Sequence, residues 1–365
     1  MAAIYNPELA DIFKLYGEEY REKYKDRILP SHKKAMWAIE KCRTPVLGGQ
    51  LYECKDCNRY DYSYHSCNNR NCPKCGGGKI QSWIMRQFNL LMPVPYFFST
   101  FTLPHELNKA VYANQRLFYD LFFKTSAQAL KELACDKRFV GGKIGFFGIL
   151  QTWARDLSYH IHIHYIVPGV ALSFDHKKWI KIKNKKFLIH VKPLGCRFKN
   201  LFKKSIQKTL IYDHIPQIVW KKDWNVYVEP AGYGQEIIKY IAPYVYRIAL
   251  SNRNIIKLKD HEVTFKYKDN KTNITHTPSL DVLKFMHRFL QHVLPPDFMK
   301  VRYFGIMGAN IKDKYYLLKY LLVQSLSAKI KKWFFAIRFD IKKKIRSCPH
   351  CGGKLILIGR LSRAP

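Results

Sequence analysis

The stretch YHIHIHYIVPGVA, residues 159–171, decides how the central part of the chain is expected to fold. Histidines alternate with isoleucines through its first half, which is the period-two pattern of a β-strand with one buried face. Residues two apart on a strand point to the same side and lie about 7 Å apart at the backbone. His160, His162 and His164 are therefore predicted to line one face, while Ile161 and Ile163 enter the core.

This row of histidines predicts a metal site. Two imidazoles at strand spacing can share one ion, whereas three in a row cannot comfortably do so. His162 and His164, which flank a single bulky apolar residue, are the pair we favour as ligands. A third ligand must then come from another element. A lone strand histidine is usually structural, but three on one face of an apolar strand are harder to explain in that way.

The segments around this strand predict a mixed fold. Residues 96–103 (YFFSTFTL) and 143–152 (KIGFFGILQT) have the composition of buried strands, whereas residues 105–135 and 196–211 have helical spacing. Residues 1–41 predict two further helices. This order of elements is typical of an α+β fold, with a mostly antiparallel sheet covered by helices.

Six of the ten cysteines lie between Cys42 and Cys75. The pairs Cys54-x-x-Cys57 and Cys72-x-x-Cys75 each place two sulfurs on one side of a tight turn. Two such turns complete a closed tetrahedron, which is the geometry of a structural zinc site. The sequence therefore predicts a zinc-knuckle domain ahead of the histidine strand.

Further candidate ligands leave the composition of this site open. Cys42, His65 and Cys67 lie close to the two pairs, so either a second zinc or a different set of four ligands is compatible with the sequence. Cys348 and Cys351 form half of another knuckle near the C-terminus. This half could pair with the spare ligands near the N-terminus.

The charge of the chain favours a polyanionic partner. The sequence has 63 Lys and Arg against 27 Asp and Glu, a formal net charge of +36 that is spread along its length. Nucleic acid is the partner that such a distribution predicts. Charge alone also leaves open a ribosome-associated or membrane-surface protein. With no targeting signal and no apolar run of the ~20 residues needed to span a bilayer, we expect a cytoplasmic, nucleoid-associated protein.

A third element carries tyrosines at helical spacing. Glu236, Tyr240 and Tyr244 recur every four residues and so share one face of a helix, although Pro243 is expected to kink it. A phenol has a pKa near 10, but it can attack a phosphodiester if a bound metal ion polarises the phosphate. Together with the histidine strand, this helix indicates phosphodiester chemistry.

These residues resemble the transposases of rolling-circle insertion sequences, insertion sequence family ninety-one. The catalytic domain of that family belongs to the HUH (His-hydrophobic-His) endonucleases and follows a zinc-binding domain. The resemblance covers the chain from about residue 30 to 352 and keeps the family's order. It rests on CRTPVLGG, ECKDC, SCNNRNCPKC, PVPYFFSTFTLP, HIHIHYIVPG, KYIAPYVYRIALSN and CPHCGG.

The resemblance implies an enzyme that nicks and joins single-stranded DNA. In this family a tyrosine attacks the backbone to give a 5′ phosphotyrosine and a free 3′ hydroxyl, and the two tyrosines of the family map onto Tyr240 and Tyr244. Mg²⁺ or Mn²⁺ is held by two histidines, which map onto His162 and His164. The candidates for the third ligand are Gln235, Glu236 and Gln151.

The resemblance also implies a domain order and partners. It predicts a zinc-binding DNA-recognition domain at residues 1–92, an HUH catalytic domain at 93–310, and a basic helical segment with half a zinc knuckle at 311–365. Structural Zn²⁺ and catalytic Mg²⁺ or Mn²⁺ are the implied cofactors. The implied partner is DNA, especially single-stranded element ends, with no membrane partner and with a homo-oligomer left open.

Three positions depart from the family's pattern. Gln50 and Asn71 stand where a histidine is usual, and His65 stands where an asparagine is usual. These departures motivate the hypothesis that His65 coordinates zinc in this chain.

Two other functions would require different residues. An RNase H-like nuclease or transposase needs several carboxylates that hold two metal ions, and this chain is poor in acids. A zinc-stabilised DNA-binding protein, or an inactive remnant that binds element ends, would need the cysteines and the charge. Such a protein would not need His162, His164 and Tyr240 together.

Overall fold

The computed structural model describes residues 3–182, 184, 186–233, 236, 238, 245, 249–269, 272–325 and 347–363. Its helices with defined bounds are α1 (Leu9–Lys23), α2 (Pro30–Lys41), α3 (Gly76–Asn89), α4 (Asn108–Ala113), α5 (Gln115–Cys135), α6 (Val191–Ile206), α7 (Ile218–Lys221), α8 (Val282–Leu290) and α9 (Lys312–Gln324). In the described part of the chain, none of the helices combines the length and the apolar character that crossing a bilayer requires.

The strands lie throughout the described chain. They are β1 (Ile4–Tyr5), β2 (Gly49–Cys54), β3 (Tyr60–Tyr64), β4 (Pro95–Thr102), β5 (Lys143–Trp153), β6 (Tyr159–Pro168), β7 (Val170–Leu172), β8 (Trp179–Lys181), β9 (Val226–Tyr233), β10 (Ile255–Lys259), β11 (Glu262–Phe265), β12 (Tyr267–Lys268), β13 (Thr275–His276), β14 (Ser279–Asp281), β15 (Val301–Gly305) and β16 (Leu355–Leu361). All the pairings between these named strands are antiparallel, which confirms the predicted α+β class.

The chain forms two compact units that interleave in sequence. The first comprises Met1–Gln81, Tyr246–Val293 and Arg338–Pro365, and the second comprises Ser82–Val245 and Leu294–Ile337. This spatial division differs from the consecutive parts, with boundaries at residues 92 and 310, that the sequence predicted. The difference arises because strands from later in the chain pair with N-terminal elements, which local patterns do not reveal.

In the first unit, the N-terminal helices pack against a segment that follows residue 250. The sheet here has the order β1-β10-β11-β14, and α8 follows β14 directly. Phe13 of α1 meets Phe289 of α8 edge to face, with ring centroids 5.8 Å apart. The Tyr20 hydroxyl forms a 3.2 Å hydrogen bond with Nδ1 of His287. The amphipathic α8 thus buries its apolar face against α1.

A second sheet of the first unit joins the two ends of the chain. Its order is β16-β2-β3, so that the C-terminal strand β16 lies beside β2. The register runs from Leu355 opposite Cys54 to Leu361 opposite Gly49. This pairing brings the Cys348/Cys351 pair beside the Cys54/Cys57 pair.

The second unit is built on a large antiparallel sheet. Its order is β8-β7-β5-β6-β4-β9, and β15 pairs with β5. The predicted strand of residues 159–171 is observed as β6 followed by β7, and the strand predicted at residues 96–103 is β4. Strand β8 ends at Lys181, and α6 begins ten residues later at Val191.

One face of this sheet is covered by α5 and α6. Tyr165 of β6 is fully buried on that side, where its hydroxyl hydrogen-bonds to the Ser126 hydroxyl of α5 at 2.7 Å. Its ring meets Phe101 of β4 edge to face, and Phe101 in turn meets Phe198 of α6. Ile161 and Ile163 belong to the same core, as predicted. His160, His162 and His164, which alternate with these core residues, must therefore project from the opposite face.

Candidate active site and metal centres

Three histidine rings stand in a row on the face of β6 that is turned away from the helical core. The ring centroids of His160 and His162 are 5.0 Å apart, and those of His162 and His164 are 4.6 Å apart. His160 is exposed, His164 is half-buried, and His162 is 8% exposed. The predicted row is confirmed, and the solvent exposure of its rings decreases from His160 to His164 to His162.

A backbone hydrogen bond sets the tautomer of His162. Its Nδ1 lies 3.1 Å from the carbonyl oxygen of His160. A carbonyl oxygen only accepts hydrogen bonds, so Nδ1 must carry the proton and the lone pair of the neutral ring resides on Nε2. A histidine held in this way is prepared to bind a metal ion through Nε2.

The neighbouring strand β4 orients His164. Thr100 lies opposite His164 in register, and its Oγ1 is 3.0 Å from Nδ1 of that histidine. The ring of Phe98 stacks on the His164 ring with centroids 4.8 Å apart. When Nδ1 donates to the threonine hydroxyl, the lone pair of His164 is on Nε2, as in His162. The sequence reasoning missed Thr100 and Phe98, since their role depends on strand register.

Burial keeps both histidines neutral. It lowers the pKa of His162 well below its ordinary value, and the neighbouring His164 and His160 lower it further. Burial likewise lowers the pKa of His164 to about 3, with His160 again adding to the effect. Neutral imidazole is the form that binds metal ions, so both rings are in the required state at physiological pH.

An amide side chain on the other neighbouring strand completes this group. Gln151 of β5 lies opposite His162 in register, and opposed residues of an antiparallel pair project from the same face. Gln151 is 7% exposed, and its Nε2 donates to the carbonyl oxygen of Trp153 at 3.2 Å. Its Oε1 is buried with no hydrogen-bond partner among the residues that the structure describes. A buried carbonyl oxygen of this kind is suited to a cation.

Lys300 adds positive charge beside the histidines. Its Nζ lies 4.5 Å from the centroid of the Trp153 ring on β5, and its charge contributes to the lowered pKa of His162. Its backbone carbonyl accepts a hydrogen bond from Leu150 at 3.0 Å, which ties the segment before β15 to the sheet. Nothing in the sequence marked this lysine among so many others.

The structure describes only one of the remaining predicted residues of this site. Tyr240, Tyr244 and Gln235 lie outside the described residues. Glu236 is exposed, and its Oε2 is 2.9 Å from where a Cβ on Gly232 would stand.

The strand register separates Glu236 from the histidines. Tyr233, next to Gly232, pairs with Pro95, whereas Thr102 at the other end of β4 pairs with His162. Those ends are about 20 Å apart along the strand. The predicted role of Glu236 as a ligand beside His162 is therefore not supported by its position.

The first unit brings four cysteine sulfurs together at the C-terminal end of α2. They belong to Cys42, Cys67, Cys72 and Cys75, and all lie within 4.8 Å of one another. The Sγ atom of Cys75 is 3.4 Å from that of Cys42 and 3.5 Å from that of Cys67. Tetrahedral zinc with Zn–S bonds of about 2.3 Å needs sulfurs about 3.8 Å apart, so this set fits one zinc ion.

Hydrogen bonding prepares these thiols for metal binding. A hydrogen bond from Cys72 lowers the pKa of Cys67, which favours the thiolate that binds zinc. Metal binding then displaces the protons of the remaining thiols.

This set corrects the ligand pairing expected from the spacing of the cysteines. Cys54 and Cys57 do not join Cys72 and Cys75. They lie instead with Cys348 and Cys351, and these four sulfurs are also within 4.8 Å of one another. The reason is the pairing of β16 with β2, which carries the C-terminal knuckle to the end of β2.

The hypothesis that His65 binds zinc is also contradicted. His65 is exposed, and among the described residues it belongs to neither group of four sulfurs. Its backbone amide donates to the carbonyl oxygen of Gly48 at 2.9 Å, and its carbonyl oxygen accepts from Arg43 at 3.2 Å. These bonds hold the backbone of His65 beside the start of β2, while cysteines supply all four ligands of each group.

Comparisons with known proteins agree with both parts of this description. Residues 12–103 match the family described as "Transposase zinc-binding domain", and residues 145–314 match the family described as "Putative transposase". The second match contains β6 with its histidines. No solved structure matches the chain.

Two curated relatives cover most of the sequence. The chain is 33% identical over 330 residues to "Putative transposase y4qJ" of Sinorhizobium fredii, an alignment that spans 84% of this chain and 82% of the relative. It is 25% identical over 290 residues to "Transposase for insertion sequence element IS801" of Pseudomonas savastanoi pv. phaseolicola, which spans 75% of this chain and 70% of the relative. With its cysteine groups and its zinc-binding segment, the chain belongs to the insertion-sequence transposases of the IS91 family.

Proposed function

We propose that this transposase nicks and joins single-stranded DNA through a covalent tyrosine–phosphate link at the histidine face of the large sheet. The observation that carries the proposal is the grouping of His162, His164 and Gln151 on adjacent strands. Two neutral imidazoles, of which His162 has its lone pair on Nε2, and one buried amide oxygen without a described partner form a three-ligand set for a divalent cation.

Mg²⁺ or Mn²⁺ fits this group of donors. His162 and His164 would hold the ion through Nε2, and Gln151 through Oε1. When bound, the cation would polarise a phosphate oxygen and stabilise the charge that develops during cleavage. The chain's own contribution is orientation, since the carbonyl of His160 and the hydroxyl of Thr100 hold the two rings in place.

The proposed nucleophile is the phenolic oxygen of Tyr240 or Tyr244. That oxygen forms a bond to phosphorus, the bond from phosphorus to the 3′ oxygen breaks, and the phenolic proton is released as the 3′ oxygen gains one. The phosphotyrosine conserves the energy of the broken phosphodiester. A 3′ hydroxyl of another strand can reverse the step and join the two strands without ATP.

Positive charge supports DNA as the substrate. The net charge of +36 favours binding to the phosphate backbone, and Lys300 places a cation beside the histidines. Exposed side chains extend from the histidine face onto the edge strand β9, where Tyr227 is 66% exposed. An exposed aromatic ring of this kind can stack on a base of a single strand.

The proposal predicts a specific covalent product. Purified protein with Mn²⁺ is expected to cleave a single-stranded oligonucleotide that carries an end of its element, and to remain attached to the 5′ side of the break. With a 3′ label the downstream fragment should migrate with the protein on a denaturing gel. With a 5′ label the upstream fragment should be free and carry a 3′ hydroxyl that a polymerase extends.

Two controls give this assay its meaning. A duplex of the same sequence is expected to stay intact, and a chelator should stop cleavage of the single strand. Tight binding of the element end with no cleavage under any of these conditions would favour the zinc-stabilised DNA-binding protein instead.

A substitution of Gln151 tests the third ligand. Gln151→Leu keeps the size of the side chain but removes its oxygen, so we expect the Mn²⁺ concentration for half-maximal cleavage to rise roughly 10- to 100-fold. Gln151→Glu restores an oxygen ligand and should stay close to the original protein. Calorimetric titration with Mn²⁺ in the absence of DNA gives an independent reading of the same affinity.

Ser99→Ala is the matched control for that substitution. Ser99 is also fully buried on an adjacent strand, but it lies beside Thr100 and so projects from the opposite face of the sheet. Ser99→Ala should leave the Mn²⁺ concentration for half-maximal cleavage unchanged. An unchanged requirement in Gln151→Leu as well would remove Gln151 from the site.

A further inference from the structure

The second group of cysteines takes its ligands from opposite ends of the sequence. The Sγ atoms of Cys54 and Cys351 are 3.5 Å apart, and those of Cys57 and Cys348 are 3.7 Å apart. These separations are close to the ~3.8 Å edge of a zinc–sulfur tetrahedron and far from a disulfide bond. The matched zinc-binding segment ends at residue 103, so it contains only half of these ligands.

The two knuckles of this group have the same backbone design. In the first, the amide of Asn58 donates to the carbonyl oxygen of Cys54 at 2.9 Å, and in the second the amide of Gly352 donates to Cys348 at 2.9 Å. The residue after the second cysteine is left-handed in both, with φ of 53° at Asn58 and 79° at Gly352. Asparagine and glycine are the residues that adopt this conformation most readily. Both ends of the chain are thus shaped as metal knuckles.

Strand pairing holds the knuckles face to face. Leu355, just after the second knuckle, pairs with Cys54 at the end of β2. The amide of Lys55 donates to the carbonyl oxygen of Lys354 at 3.3 Å, and Arg59 donates to Nδ1 of His350 at 3.1 Å. Lys55, Arg59 and Lys354 also place positive charge around four sulfurs that would carry a net charge of −2 with zinc.

We propose that Cys54, Cys57, Cys348 and Cys351 bind a second structural zinc ion, which fastens the C-terminal strand β16 to β2. A site with four thiolates has no position for water or substrate, so its role is to hold the fold together. The proposal does not depend on the cleavage chemistry.

Zinc stoichiometry tests the shared site. The full-length protein is expected to contain two zinc ions per chain, measured by plasma mass spectrometry. Cys54→Ser with Cys57→Ser should leave one ion, Cys348→Ser with Cys351→Ser should leave one, and all four substitutions together should also leave one. Loss of the same ion in each case shows that the pairs share it.

Matched variants separate this site from the other cysteines. Cys72→Ser with Cys75→Ser should remove the other ion, and Cys135→Ser with Cys196→Ser should remove none. Two ions retained after loss of Cys348 and Cys351 would overturn the proposal. The proposal would also be overturned if the variant with all four substitutions lost more zinc than either double variant.

Alkylation of the unmodified protein gives a test that does not depend on the folding of variants. Cys351 and Cys196 are both exposed. In the zinc-loaded protein, iodoacetamide should modify Cys351 at least tenfold more slowly than Cys196, because a zinc-bound thiolate is a poor nucleophile. Peptide mass mapping measures both rates in one sample. Equal rates at the two cysteines would show that Cys351 holds no metal.

Discussion

Replacing both Tyr240 and Tyr244 with phenylalanine is expected to reduce cleavage of element-end DNA by about a thousandfold or more and to abolish the covalent product. In the proposed mechanism the phenolic oxygen forms the bond to phosphorus, and phenylalanine keeps the ring while removing only that oxygen. The measurement is the amount of labelled DNA that migrates with the protein in Mn²⁺. Binding of the same oligonucleotide without metal should stay within a few-fold of the original protein.

The single variants and two other tyrosines make this result specific. Each single variant keeps one nucleophile, so a residual covalent product in one of them identifies the tyrosine that acts first. Tyr246→Phe changes the same segment at a position off the helical face that the sequence predicts for Tyr240 and Tyr244, and it should retain cleavage. Tyr227 is 66% exposed on β9 and pairs with Thr100, which pairs with His164. A double variant that still cleaves normally would refute the assignment and make Tyr227 the next residue to replace.

The histidine face was predictable because a strand has a simple period. Alternation of histidine with isoleucine is sufficient to place His162 and His164 on one side and Ile161 and Ile163 in the core, as observed. The partners of these histidines were not predictable to the same degree. Gln151 and Thr100 act through strand register, and no local pattern states which residue of a neighbouring strand lies opposite.

The cysteine ligands show the same limit at longer range. The pairs at Cys54, Cys72 and Cys348 have identical spacing, so spacing alone cannot say which two share a metal ion. The choice is made by the pairing of β16 with β2, a contact between the two ends of the chain. Nearness in sequence favoured joining the two N-terminal pairs, whereas Cys42 and Cys67 complete the set of Cys72 and Cys75 instead.

Interleaving of the two units has a similar origin. Helix α8 is amphipathic, but an amphipathic helix specifies only that its face must be covered. The covering elements are α1 and the sheet β1-β10-β11-β14, which connect residues 4–23 with residues 255–290. A division of the chain into consecutive parts cannot represent such a contact.

His162→Asn is expected to lower metal-dependent cleavage by about a thousandfold. The amide nitrogen of asparagine can replace Nδ1 as the donor to the carbonyl oxygen of His160, so the local hydrogen bond survives. Asparagine has no atom at the position of Nε2, so a ligand of the cation is lost. Stabilisation of transition-state charge by a metal ion is worth several kcal/mol, and each 1.36 kcal/mol is a factor of ten in rate.

His162→Gln is the informative partner of this variant. Glutamine is one methylene longer, and its terminal amide reaches the region that Nε2 occupies, so partial activity at high Mn²⁺ is expected. His160→Ala is the matched control on the same strand, because His160 is exposed and the substitution keeps the backbone carbonyl that accepts from His162. It should change cleavage less than tenfold.

The pattern across the three variants distinguishes a ligand from a packing residue. If His162 only fills space on the sheet, Asn and Gln should both retain cleavage in proportion to their stability, and raising the Mn²⁺ concentration should rescue neither. If Nε2 holds the cation, activity should follow the presence of a donor atom at that position, and the apparent Mn²⁺ affinity should fall in the order His, Gln, Asn. Equal Mn²⁺ affinities in the original protein, His162→Gln and His162→Asn would exclude His162 as a ligand.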